Sequence, residues 1–293
     1  MKNYLKALRI NHWFKNGFIL VGIFAALIYF NLSYSHELIW RLILAFLLVS
    51  LMASANYIMN GITDVKFDKQ HPVKQYRPIP SGKVNTFYLK IIAVVLWVIS
   101  LGVSWLVFGK YLFGVLIFFL VTAIIYNIEP IRTKNLPHLD VIVEALGNPV
   151  RLMVGWFAVG VTVFPPLIGL ICFWAIGAFL MVGKRFTELR FLGNRETAIN
   201  YRRVFKFYSE ESLLIAMIVY LLVFGSTYTW VALLYDIKLM YFTPMVLIFI
   251  IWYFHLLFEK DSIIKEPERL IKKPLFMFYC ILSAVILIII LFA

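Results

Sequence analysis

The sequence predicts an all-α polytopic membrane protein with nine transmembrane helices, and three observations carry that prediction. Hydrophobic residues make up 62% of the 293 positions and charged residues only 15%, against about 25% charged in an ordinary soluble domain. The apolar residues fall in long runs, and at roughly 20 residues per span plus loops the length accommodates about seven to ten crossings. Basic residues cluster in every second interval between those runs, as cytoplasmic loops require. Together these exclude a soluble enzyme, a disordered chain and a coiled coil. The excess of 28 Lys and Arg over 15 Asp and Glu is read as the cytoplasmic bias of an inner-membrane protein, with no nucleic-acid partner.

The nine apolar segments run, in order, over 14–30, 39–59, 84–108, 111–128, 141–162, 164–182, 213–234, 241–258 and 275–292. The first opens behind His12-Trp13-Phe14-Lys15-Asn16. Trp13 suits the membrane interface, and Lys15 either snorkels to phospholipid or faces a cavity. A tight turn at Phe164-Pro165-Pro166 separates the fifth and sixth. The N-terminus and the loops after segments 2, 4, 6 and 8 carry the basic clusters, including Lys260 and Lys272; the other side carries Arg41, Lys110 and Lys238. The expected topology is therefore an N-terminus in the cytoplasm and a C-terminus outside, in the cytoplasmic membrane. No repeat or soluble appendage is visible, and no cleavable signal peptide, so residues 1–293 read as one membrane domain. Cys172 and Cys280 both sit in apolar runs, which supports neither a disulfide nor a thiolate metal site.

Acidic residues are scarce, so their places carry information. Asn56, Asn60, Asp64 and Asp68 are spaced by four, which puts them on one helical face at the end of segment 2. Amides inside an apolar span must find partners. Two carboxylates with two amide oxygens make a hard, oxygen-rich surface suited to Mg²⁺ on substrate phosphates. The acids sit at the wet end, so replacing Asp64 or Asp68 by the amide is expected to spare folding. The following loop, His71 to Gly82, is pinned by three prolines and holds Lys74 and Arg77 beside that surface. A second constellation comprises Tyr126, Arg132, Lys134 and Asp140, then Glu144, Asn148 and Arg151 on one face of a helix interrupted by Gly147 and Pro149. Glu144 and Arg151 are either a mutually neutralising pair or parts of a site. A third follows segment 6, where Lys184, Arg185 and Glu188 occur, with a Lys184–Glu188 helix pair as the plain alternative. No Gly-x-Ser-x-Gly, His-Glu-x-x-His or Walker loop is present. The residues alone describe a Mg²⁺–diphosphate site opening beside lipid.

On these residues the chain resembles the UbiA superfamily of intramembrane prenyltransferases over nearly its whole length. The first motif of that superfamily, Asn-Asp-x-x-Asp-x-x-x-Asp, is matched by Asn60-Gly61-Ile-Thr-Asp64-Val-Lys-Phe-Asp68. Gly61 replaces the usual Asp, so one ligand is missing or supplied elsewhere. An Asp restored there is expected to shift Mg²⁺ affinity modestly and to add a little helix stability. The stretch from Tyr126 through Arg132-x-Lys134 to Asp140 resembles the second motif, with Glu144 beside it. Three further stretches resemble the branch that makes decaprenylphosphoryl-5-phosphoribose: Trp13-Phe14-Lys15-Asn16, His71-Pro72-x-Lys74-x-x-Arg77-Pro78-Ile79-x-Ser81-Gly82, and Lys184-Arg185-x-x-Glu188-Leu189. Glu129-Pro130-Ile131-Arg132-x-Lys134 looks instead like the prenyltransferase branches proper.

The resemblance implies nine helices around a central polar cavity open to the cytoplasmic side, in one UbiA-like domain. It implies a Mg²⁺-dependent transfer of 5-phosphoribose from phosphoribosyl pyrophosphate to a polyprenyl phosphate lipid. Asp64, Asp68 and Asp140 would be catalytic, and with Asn60 they would hold the metal. Lys15, Asn56, Asn60, Lys74, Arg77, Tyr126, Lys134, Glu144, Arg151, Lys184 and Arg185 would bind substrate. The same site with a prenyl diphosphate donor and an aromatic or isoprenoid acceptor is the first alternative. A transporter or an inactive lipid-binding relative, motivated by Gly61, is the second.

Overall fold

The computed structural model describes residues 2–32, 36–259, 262–265, 269–270 and 273–292, so Lys260 and Lys272 of the expected topology lie outside the described residues. The described residues are helical, and nine of their helical stretches are long and apolar enough to cross a membrane. These are Lys2–Tyr29, His36–Thr63, Thr86–Phe108, Lys110–Asn127, Leu139–Ala158, Leu167–Leu192, Glu210–Tyr235, Ile237–Phe258 and Pro274–Leu291. All nine expected segments are present, and the protein is an integral membrane protein of the all-α class.

The chain divides into two compact units. The first comprises residues 1–166 with 194–207. It begins with helix α1 (Lys2–Ala7), a 3₁₀ stretch (Ile10–Phe18) and α2 (Ile19–Tyr29). Then come α3 (His36–Thr63), the short α4 (Val65–Asp68), α5 (Thr86–Phe108) and α6 (Lys110–Asn127). The fifth span is broken at Leu146 into α7 (Leu139–Ala145) and α8 (Gly147–Ala158). The 28-residue α3 is about 42 Å long, longer than the roughly 30 Å hydrocarbon core, so its ends reach the polar interface. Asn85 caps α5 by accepting the Phe87 amide at 2.8 Å, and Gly109, at φ 75°, ends it.

The core of this unit gathers Ile19, Ile23, Leu48, Met52, Leu116, Val150, Val154 and Trp156. Its tightest point is the crossing of α2 and α8. A Cβ at Gly22 would fall 1.9 Å from the Leu152 carbonyl oxygen, and one at Gly155 would fall 2.0 Å from that of Ile19. Only glycine lets these two backbones touch, and the contact fixes where the preceding 3₁₀ stretch lies against α8.

The second unit holds α9 (Leu167–Leu192), α11 (Glu210–Tyr235), α12 (Thr243–Phe258) and α13 (Pro274–Phe292). Helices α9 and α11 pack along each other, and α11 starts at a Ser209–Ser212 capping box. The segment between α9 and α11 belongs to the first unit. It forms α10 (Arg195–Tyr201), capped by Asn194, and a 3₁₀ turn (Arg203–Lys206).

Gly22→Ala and Gly155→Ala should each lower stability by about 2 kcal/mol or more, since the crossing backbones must separate. Gly102→Ala, with open space around its Cβ, should be neutral or stabilising by up to about 1 kcal/mol. Unfolding midpoints in detergent check this; equal midpoints for all three would contradict the backbone-contact account.

Candidate active site

Helix α3 stops at Thr63, whose hydroxyl folds back onto the Asn60 carbonyl at 3.1 Å. The chain turns at Asp64, and the one-turn α4 follows. Helical hydrogen bonds still run through the turn, from the Asp64 amide to the Asn60 carbonyl at 3.0 Å and from the Asp68 amide to the Asp64 carbonyl at 2.8 Å. Asn60 and Asp64 stay together, while the Asn56 oxygen accepts from Trp97 Nε1 at 3.0 Å on α5. Asp68, beyond the turn, lies 3.7 Å from Arg77.

Lys134 is the hub. Its ammonium donates to both Asp64 oxygens at 2.7 and 2.6 Å, to Asn60 Oδ1 at 2.9 Å and to Asn127 Oδ1 at 3.2 Å. Arg132 approaches Asp64 from beside it at 2.8 Å and also reaches the Thr63 carbonyl. The side chains of Arg132 and Lys134 are 7% and 6% exposed, that of Asp64 16%. Burial pulls the Lys134 ammonium down to about 8, against the opposing pull of Asp64, so it is a cation at neutral pH. Burial pushes the Asp68 carboxyl up, with Arg77 acting against it. Asp64 thus closes a buried ion cluster, which revises the expectation that its loss would spare folding. Removing one partner of such a cluster leaves uncompensated charge.

Asp140, fully buried in the first turn of α7, lies 3.6 Å from Arg202. Arg202 also donates to the Tyr126 hydroxyl at 3.3 Å, and that hydroxyl donates to Glu144 at 2.5 Å. Lys74 meets the Tyr201 hydroxyl and ring, and the His71 ring packs edge-on to Tyr201 at 4.6 Å. His71 Nδ1 also accepts the amides of Val73 and Lys74, which shapes the proline-rich loop. A cleft lined by Asp64, Phe67, Asp68, Arg132, Lys134, Asn135, Tyr201, Arg202 and Arg203 lies at the centre. Its free space is about 20 Å³, near the size of one water molecule. The space between these ion pairs holds nothing larger than a water molecule while they stay closed, and Arg132 Nε is buried there without a hydrogen-bond partner.

Two expectations change. Glu144 and Arg151 do not form a pair: Glu144 takes the Tyr126 hydroxyl, and Arg151 donates to Asn16 and to the Gly147 carbonyl. The break at Leu146 turns the two residues apart. Glu188 accepts from Arg185 at 3.4 Å, both side chains being almost fully buried. The Cβ of any residue at 61 would lie 2.7 Å from Ile79 Cδ1. Position 61 is filled by the loop that carries Lys74 and Arg77. Lys15 lies in the 3₁₀ stretch with its ammonium 6.0 Å from the Phe14 ring centre. Sequence reading missed Tyr201, Arg202, Arg203 and Asn127. Arg202 and Arg203 were visible only as loop charge, and no spacing rule connects residues 76 positions apart.

A model of the UbiA prenyltransferase family matches residues 18–291. The decaprenyl-phosphate phosphoribosyltransferase of Mycobacterium tuberculosis is 30% identical over 196 residues, 67% of this chain and 63% of that protein. Its counterpart in Corynebacterium glutamicum is 28% identical over 210 residues, 71% and 60% of the two chains. The chain thus spans less than two thirds of the length of these relatives. Among solved structures, a UbiA homolog from Archaeoglobus fulgidus bound to GPP and Mg²⁺ has a TM-score of 0.73 at 18% identity, covering 96% of this chain and 99% of that one. That likeness concerns the fold.

Gly61→Ala should displace only the flexible end of Ile79 and stay near wild type. Gly61→Asp should bury a carboxylate against Ile79, dislodge the loop and weaken pyrophosphate binding by about tenfold or more. Calorimetric titration with Mg²⁺-pyrophosphate checks this; tighter binding by Gly61→Asp would contradict it.

Proposed function

The chain belongs to the UbiA prenyltransferase family and is an integral membrane transferase, and from that premise we propose that it transfers 5-phosphoribose from phosphoribosyl pyrophosphate to a polyprenyl phosphate. The observation that carries the reading is the cleft with its neighbouring ion pairs: Asp64 and Asp68 line it and Asp140 lies buried beside Arg202, each acid matched by Arg or Lys. Such a surface complements a metal–diphosphate and a further anion. The names of the relatives support the phosphoribosyl donor and the phosphorylated lipid acceptor. The family match across 18–291 supports reading the chain as one transmembrane domain.

The donor set suits Mg²⁺. Asn60, Asp64, Asp68 and Asp140 offer only hard oxygens. Among the described residues no three His, Cys, Asp or Glu converge on one point, in keeping with an ion completed by substrate phosphates and water. When bound, Mg²⁺ supplies charge neutralisation on the leaving pyrophosphate. Lys134, Arg132 and Arg77 turn from the carboxylates, and Lys74 from Tyr201, to the pyrophosphate oxygens and stabilise the charge that builds there. The acceptor phosphate is already an anion, so no strong base is needed. Its oxygen forms the new bond to the anomeric carbon of the ribose as the carbon–oxygen bond to pyrophosphate breaks. Asp140 and Glu144, held by Arg202 and Tyr126, face the ribose hydroxyls. Asn56, Arg151, Lys15, Lys184 and Arg185 complete the proposed substrate ligands, the last two on motif resemblance.

A prenyl diphosphate donor is the second reading. It is favoured by a 31% match over 105 residues to the digeranylgeranylglyceryl phosphate synthase of Saccharolobus solfataricus, and it asks for fewer cations than this cleft holds. We further place the N-terminus and the motif loops in the cytoplasm and the C-terminus outside, in the cytoplasmic membrane, on the alternating loop charge.

Purified protein incubated with Mg²⁺, ribose-labelled phosphoribosyl pyrophosphate and decaprenyl phosphate should yield lipid-extractable label. Asp64→Asn and Asp68→Asn should lose most of it, Asp64→Asn with lowered stability as well. Label that stays in the aqueous phase while geranylgeranyl diphosphate is consumed would favour the second reading.

In a background lacking Cys172 and Cys280, Arg195→Cys should react with membrane-impermeant thiol reagents only from the cytoplasmic face. Lys238→Cys should react only from the outer face, and the reverse pattern would overturn the orientation.

A further inference from the structure

Arg151 lies within the span Leu139–Ala158, about 18 Å of helix rise from its start, and is only 9% exposed. Its Nε donates to Asn16 Oδ1 at 3.0 Å and its Nη1 to the Gly147 carbonyl at 2.6 Å. Both acceptors are neutral. Among the described residues no carboxylate lies within ion-pair distance of it. The other buried cations of this unit differ: Arg132 and Lys134 hold Asp64, and Arg202 faces Asp140. A charge at membrane depth without a counter-charge is costly and marks a functional place.

The surroundings orient this guanidinium without neutralising it. The Gly22–Gly155 crossing sets the 3₁₀ stretch against α8. Asn16, 1% exposed, donates its Nδ2 to Ser50 Oγ at 2.9 Å, which turns its oxygen toward Arg151. A Cβ at Gly147 would lie 3.0 Å from Nη1, so glycine there leaves the guanidinium its place. Ser50 and Asn60 are ten residues apart on α3, about 15 Å, so this locus is separate from the Asp64 cluster.

We propose that Arg151, oriented by Asn16, receives a phosphomonoester dianion at membrane depth, as a second anion locus beside the diphosphate cleft. The need for an anion follows from the geometry, while the naming of a phosphomonoester rests on the proposed function. That reaction offers two sources, the phosphate of the lipid acceptor and the 5-phosphate of the donor. A prenyl diphosphate with a neutral acceptor would leave Arg151 without a ligand.

The test compares wild type, Arg151→Gln and Asn16→Asp as full-length protein in nanodiscs. Binding is measured for decaprenyl phosphate against decaprenol, and for phosphoribosyl pyrophosphate against inorganic pyrophosphate with Mg²⁺. Both variants should lose the preference for one phosphorylated ligand by about tenfold or more, the worth of a charge-assisted contact. Loss on decaprenyl phosphate assigns the lipid; loss on phosphoribosyl pyrophosphate assigns the 5-phosphate. Asn16→Asp should also raise the ligand-free melting temperature, because it supplies the missing counter-charge. It keeps the shape of the side chain, so it decides the matter even where Arg151→Gln fails to fold. Wild-type preferences retained in the variants would overturn the Arg151 assignment alone. A wild type that prefers neither phosphorylated ligand would overturn the proposed function as well.

Discussion

The contact on which the candidate site depends is the one between Lys134 and Asp64. A single ammonium, with three protons to give, draws together the end of α3 through Asn60, the turn through Asp64 and the end of α6 through Asn127. Arg132 adds a second cation to the same carboxylate and stacks on Phe67, whose ring Arg203 also approaches. Buried charges of this kind contribute little net stability while intact, yet cost about 3–5 kcal/mol when one partner is lost. The cluster is therefore a device for holding geometry. It keeps acids and bases at one point until something of complementary charge replaces both sets of partners.

That arrangement carries a mechanistic consequence. A metal ion alone must displace Lys134 and Arg132 from Asp64 and leave them unpaired. A diphosphate alone must draw those cations away and leave the acid unpaired. On the proposed function, the two brought together would exchange every partner at once: the acids would take the metal and the bases the phosphate oxygens. Asp68 with Arg77, and Asp140 with Arg202, repeat the pattern around the same region. On that reading, binding of metal and donor would be coupled through the protein's own ion pairs.

The nine spans were legible because burial in lipid demands long apolar runs, and hydropathy records that demand directly. Asn60, Asp64 and Lys134 were legible because polar groups at the end of an apolar helix need a reason. Local spacing reached only a little further. The periodicity of 56, 60, 64 and 68 does bring Asp64 and Asp68 to one cleft, but it could not show that Asn56 is taken by Trp97. Glu144 and Arg151 looked like partners by spacing, yet the break at Leu146 gave each a different neighbour. Tyr201 and Arg202 reach the site through contacts 76 to 127 residues apart in sequence, which no local rule encodes. Gly61 looked like a lost ligand until Ile79 was seen to occupy its side.

The coupling claim is tested most directly by thermal unfolding of the purified protein titrated with Mg²⁺, with inorganic pyrophosphate, and with both. The account predicts small shifts for either alone and a shift for the pair well beyond their sum. A full shift from Mg²⁺ alone, with nothing added by pyrophosphate, would contradict it.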